Sequence, residues 1–131
     1  MKGNIVRNEE RFVMRYNSVL DLHTHTVASG HAYCSLREMA KAASEKGLEV
    51  LGITEHAPSM PGTCHKFYFN NLKVVPREMY GIQLLLGSEV NILDAQGTVD
   101  LEEKTLSNMD VVIASLHTPC MKPASRQENT E

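Results

Sequence analysis

The sequence predicts an α/β fold built on a parallel sheet. Three observations carry that expectation. Strand-like and helix-like segments alternate along the 131 residues. The candidate strands are apolar on consecutive positions, as strands covered on both faces must be. The order β-α-β-(α)-β-α-β joins successive strands through crossovers, which pack as parallel strands with right-handed connections.

The first strand is expected at 18–22, where Val19 and Leu20 lead into Asp21-Leu22-His23. Residues 1–17 are polar, mixed in charge and without a period, so they read as an extension that contributes little to the fold, with Met14 as an alternative start. A loop over 24–34 holds His25, Gly30 and His31. A helix follows: Ser35 and Glu38 have capping-box spacing, and Leu36, Met39, Ala40 and Ala43 share one face. Gly47 is the expected stop. The second strand, 49–54, runs into Glu55-His56. Residues 57–73 read as a loop, and Pro76 suits the first turn of a short helix to Tyr80. The third strand is expected at 82–91, with Gly97 marking a turn after it. Asp100 caps a short helix with Glu103 three residues on, and a fourth strand at 110–116 ends at His117. The last residues, 118–131, form a polar tail.

The length is that of one ordinary domain. Apolar residues are 42% and charged residues 22%, enough to bury a core. Thirteen basic against sixteen acidic side chains leave a formal charge of −3. That balance argues against a general nucleic-acid or membrane-surface binder, whose affinity needs clustered Lys and Arg. No apolar run approaches the ~18–20 residues of a membrane span. Cys34, Cys64 and Cys120 are odd in number, widely spaced and without a CxxC pair, which argues against a disulfide framework and a classical zinc finger and fits a reducing cytoplasm.

The histidines carry the chemistry. His23, His25, His31, His56 and His117 all fall at or just beyond the C-terminal end of an expected strand, and Glu89 lies late in the third. That edge is where α/β folds build sites. His23 and His25 are spaced i, i+2, so in extended chain both imidazoles point to one side and can meet one ion. A lone HxH often only meets solvent at the surface; the strand-end setting favours metal. Asp21 is either an acceptor that fixes a histidine tautomer or a turn residue. His31 and His56, taken singly, are as easily solvated loop histidines, and His65 reads as a surface residue. Glu89 inside a buried strand is expensive unless it is paired or meets a cation.

Taken together, Asp21-Leu22-His23-Thr24-His25-Thr26, His31, Ile53-Thr54-Glu55-His56, Gly87-Ser88-Glu89-Val90-Asn91-Ile92 and Ser115-Leu116-His117 resemble the polymerase and histidinol phosphatase (PHP) family of metal-dependent phosphoesterases. The stretch from Val27 to Tyr33 is most similar to its small bacterial stand-alone branch. The resemblance runs from about Val19 to the end. It implies a distorted (β/α)7 barrel with three divalent ions (Zn, Mn or Fe) at the C-terminal mouth. It implies His23 and His25 on the first ion, Glu89 bridging the first and second, His117 on the second, and His31 and His56 on the third. The family's usual Thr-Asp-His reads Thr54-Glu55-His56 here.

About four of seven barrel strands are present, and the family's later ligands are not, so residues 18–131 read as a partial PHP domain from a longer protein. The implied reaction is hydrolysis of a small phosphate ester by a metal-bound hydroxide, with Arg77 either holding the phosphate or simply solvated. Two other readings stay open: a metal hydrolase of the amidohydrolase type, and a metal-binding fragment without catalysis. The uncovered sheet edges lead us to expect self-association.

Overall fold

Strand pairing organises the chain, for which a computed structural model describes residues 17–130. The 1–17 extension thus lies, except for Asn17, outside the described residues. The strands are β1 (Leu20–Thr24), β2 (Val50–His56), β3 (Glu78–Met79), β4 (Ile82–Asn91) and β5 (Val111–Ser115). They form one sheet in which β4 is central. β2 runs parallel to β1 on one side and to β4 on the other. The other edge of β4 is shared: β3 pairs antiparallel with its first residues, and β5 pairs parallel with Gly87 to Asn91. The expected parallel α/β class holds, as the curled first part of a barrel.

The described residues hold three α-helices, α1 (Leu36–Glu45), α2 (Lys66–Asn71) and α3 (Glu103–Leu106), and α1 packs on the sheet. α1 starts at the predicted capping box. The Ser35 hydroxyl accepts from the Glu38 amide, and the Glu38 carboxylate accepts from the Ser35 amide at 2.7 Å. Gly47 ends it with φ 81°, a conformation that costs glycine nothing. Ala40 and Ala43 bury the inner face of α1. They join Leu51 and Ile53 of β2, Ile82, Leu84, Leu86 and Val90 of β4, and Phe69 and Leu72 in one core. Each large side chain buried there contributes about 1.5–3 kcal/mol against exposure. Small residues let the strands close up. A Cβ on Gly52 would lie 2.7 Å from the Leu22 backbone, and one on Gly87 would lie 1.7 Å from the Val111 carbonyl oxygen.

Several expectations need correction. No helix follows Pro76. Glu78–Met79 instead pairs with Ile82 and Gln83 across a two-residue hairpin turn at Tyr80 (φ 52°) and Gly81 (φ 77°). Both turn residues have positive φ, the geometry of the turn that best matches strand twist. A ladder on the edge of β4 thus outweighs the helix-starting preference of proline. Residues 57–73 are not all loop: α2 and a 3₁₀ turn, Leu72–Val74, occupy their end and bury Phe69 and Leu72. Asp100 does not cap α3. Glu102 stands at that N-cap without a side-chain bond, and Asp100 is engaged elsewhere. β1 begins two residues later than expected, which places His23 within the strand. Among the described residues no helix is long and apolar enough to cross a membrane.

Candidate metal centre

Register builds the site. His56 ends β2 and pairs across the ladder with Glu89 of β4. His23 is in β1, His25 follows it directly, and His117 lies two residues beyond β5. Because β1, β2, β4 and β5 are parallel, these ends meet at one edge of the sheet. Glu89 is the hub. Its Oε2 lies 3.2 Å from His23 Nε2, 3.3 Å from His25 Nε2 and 2.8 Å from His56 Nδ1, and its Oε1 lies 3.2 Å from His117 Nε2. Two groups of donors share this carboxylate: His23, His25 and Glu89, and His56, Glu89 and His117.

The electrostatics suit cation binding. Burial pushes the His56 imidazole down to about 4, against a smaller upward pull from Glu89. Burial likewise lowers His25. Burial raises the Glu89 carboxyl, but the Ser115 hydrogen bond and the neighbouring imidazoles outweigh it, and the group is held below the usual carboxylate range. Near neutral pH, then, the His25 and His56 imidazoles are neutral beside the Glu89 carboxylate. His56 Nδ1 and Glu89 Oε2 are both buried, and although they lie 2.8 Å apart, neither makes an aligned hydrogen bond. Orphaned buried acceptors are costly, and neutral imidazole with carboxylate is the donor set that Zn²⁺, Mn²⁺ or Fe²⁺ takes. The residues present therefore fit a divalent ion.

Further contacts orient these candidate donors. Asn91 Nδ2 donates to the Ala57 carbonyl at 3.1 Å and to Asp100 at 2.6 Å. With both amide protons committed, Asn91 Oδ1 must accept, and it lies 2.7 Å from His117 Nδ1. His117 therefore carries its proton on Nδ1 and turns the Nε2 lone pair toward Glu89. Asp100 also accepts from the Asn91 and Ser59 amides, which ties the 57–65 loop to this arrangement. Glu55, fully buried, accepts from Thr26 and Ser29. Its extra methylene relative to aspartate still leaves it directly behind the histidines.

Of the residues singled out from sequence, His23, His25, His56, Glu89 and His117 converge. His31 is beside them, its ring centroid 5.5 Å from that of His25 and 4.6 Å from that of His56, but it joins neither donor group. His56 groups with Glu89 and His117 rather than with His31. Arg77 is not brought to the site. It precedes β3, ion-pairs with Asp110 at 2.6 Å and donates to the carbonyls of Leu72 and Val75, so its guanidinium is a brace at the opposite end of the strands. Asp21 accepts from the His23 amide, a local turn contact. His65 caps α2, and all three cysteines are free thiols. Sequence reasoning missed the roles of Ser29, Asn91 and Asp100. A polar Asn91 ending a buried strand was the one available signal.

A family model described as the PHP domain matches residues 21–131. A probable phosphatase of Clostridium novyi (strain NT) is 57% identical over 117 residues, 89% of this chain and 47% of that protein. One from Clostridium botulinum (strain Langeland) is 52% identical over 118 residues, 90% of this chain and 48% of its own length. One from Caldanaerobacter subterraneus subsp. tengcongensis is 49% identical over 115 residues, 88% of this chain and 45% of its own length. The chain spans about half the length of the curated relatives it matches.

Proposed function

The chain belongs to the PHP-domain family, and from that premise we propose that it supplies the divalent-metal centre of a phosphoesterase acting on a small phosphate ester. One observation carries the reading: four imidazoles converge on the single buried carboxylate of Glu89. Relatives that match most of this chain bear the name probable phosphatase, which supports the same reaction class.

His23 and His25 with Glu89 would hold one ion, and His56 and His117 with the same carboxylate a second. Ions bound there would supply Lewis acidity to an attacking water and to the phosphoryl oxygens. The protein's share is to keep its donors neutral, oriented and desolvated. Burial does the first for His25 and His56. The Asn91 amide does the second for His117. The substrate is bounded only by its phosphate group, because the side chains that converge are all metal donors.

The test pairs metal analysis with phosphate release from p-nitrophenyl phosphate, run on this chain and on the C. novyi relative. The expected result is divalent-metal uptake by both, lost in a Glu89→Gln variant of this chain. Phosphate release should depend on metal and be far slower from the half-length chain. Failure of the chain to take up metal, or release unchanged by a chelator, would overturn the reading.

A further inference from the structure

Behind the metal donors, Ser29 and Glu55 form a buried pair, and each hydrogen-bonding position of the Ser29 hydroxyl can be assigned. Both are fully buried. A hydroxyl has one proton and two acceptor positions. Ser29 Oγ donates its proton to Glu55 Oε2. It accepts from the His56 amide at 3.0 Å. One acceptor position remains, and it faces His25 Nδ1 at 3.1 Å. That nitrogen must then carry the imidazole proton, which leaves the lone pair on Nε2, 3.3 Å from Glu89 Oε2.

The direction of the chain of bonds is set at Glu55. Thr26 donates its amide to both carboxylate oxygens at 3.1 Å and its hydroxyl to Oε1. The Thr26 hydroxyl accepts from the Ala28 amide and gives its proton to Glu55, with the Tyr68 hydroxyl against both side chains. Each group from Thr26 and Ser29 that meets this carboxylate is a donor, and an acceptor-only group is required there. We propose that Glu55 and Ser29 are positioning residues that fix the His25 tautomer, so that its Nε2 faces the first ion, while the same hydroxyl holds the His56 backbone beside it. The purpose rests on the metal-centre reading; the tautomer itself does not.

The consequence is specific. In Glu55→Gln the shape is kept, but one oxygen becomes an NH₂ donor. Thr26 meets Oε1 with both its hydroxyl and its amide but Oε2 with the amide alone, so the remaining oxygen stays at the Oε1 position and only the second amide contact is lost. The NH₂ then faces Ser29, whose hydroxyl must accept from it and from His56, and turns its proton to His25 Nδ1. The His25 proton moves to Nε2, and the ring presents N–H where a lone pair is needed. Glu55→Asp keeps an acceptor-only group and the original tautomer.

Long-range ¹H–¹⁵N spectra of the histidine rings read this directly in the metal-free chain at about pH 8, above the ordinary imidazole range. We expect His25 protonated on Nδ1 in the wild type and in Glu55→Asp, and on Nε2 in Glu55→Gln. Should Glu55→Gln fail to fold, Ser29→Ala serves, with His25 expected to become a mixture of tautomers. A wild-type ring protonated on Nε2 overturns the proposal, as does a Glu55→Gln or Ser29→Ala ring that stays wholly on Nδ1. A zinc titration of the same variants tests the metal centre separately: affinity should fall about 10–100-fold in Glu55→Gln and recover in Glu55→Asp. The tautomers and the metal centre can thus fail independently of each other.

Discussion

Replacing Gly87 by alanine is expected to unseat β5 and carry His117 away from Glu89. The new Cβ would sit 1.7 Å from the Val111 carbonyl oxygen, 2.8 Å from its carbon and 3.1 Å from Val111 Cγ1. Ordinary contact begins near ~3.5 Å, so the two strands must part by roughly 2 Å at this pair. The obstacle is backbone, which has no rotamer to change. Parting stretches the nearest ladder bonds between Gly87↔Val111 and Asn91↔Ser115 beyond hydrogen-bonding range. Two or three such bonds at about 1 kcal/mol each, with about 1–3 kcal/mol of overpacking, give a loss of roughly 3–6 kcal/mol. Gly47→Ala is the control, because a Cβ there meets nothing within 4 Å and only its φ of 81° resists, at about 1–2 kcal/mol. Urea unfolding followed by circular dichroism measures both. Metal titration should also show weaker binding in Gly87→Ala, since β5 leads to His117. A Gly87→Ala variant no less stable than Gly47→Ala would refute the close-approach argument.

Three further outcomes are expected. Asn91→Ala removes the acceptor that orients His117, and zinc affinity measured by competition should fall about 10–100-fold; an unchanged affinity would show that His117 needs no such anchor. The metal-free chain should lose stability on acidification: His56 has a folded value of about 4, below its ordinary 6.5, so the stability it contributes is complete above about 6.5 and drains away toward about 4, and the lowered His25 and Glu89 act in the same direction. Urea midpoints that stay flat between about pH 7 and about pH 4 would contradict this. The chain should self-associate, because among the described residues β5 pairs only with β4 and leaves Val112 and Leu116 exposed beside an open ladder edge; sedimentation showing a monomer at all concentrations would exclude it.

What was legible in the sequence was local or periodic. The Ser35/Glu38 capping box and the Gly47 stop are set by residues three apart or by one backbone angle, and both occur as read. The strand-end histidines were legible because parallel strands deliver their C-terminal ends to one edge, whatever the details of packing. The hairpin at Tyr80 and Gly81 was not, because its strand exists only through pairing with Ile82 and Gln83, a partner that a helix-start rule at Pro76 ignores. Asp100 looked like a helix cap because cap spacing is local, whereas its actual partners, Ser59 and Asn91, come from two distant segments. Arg77 carried the right group for phosphate, and its place at the N-terminal end of β4 follows from the same unforeseen hairpin.

The ladder pairing of His56 with Glu89 has a consequence for how the gene can change length. Side chains alternate across a strand, so a single codon inserted early in β2 or β4 would turn its site residue to the opposite face of the sheet. Insertions near Gly97, in an exposed turn between β4 and α3, lie outside the paired stretches of β2, β4 and β5. Length variation among relatives should therefore collect in the connections and avoid the interiors of β2 and β4, so the spacing from Val50 to His56 and from Gln83 to Glu89 acts as a reading frame for the candidate metal centre.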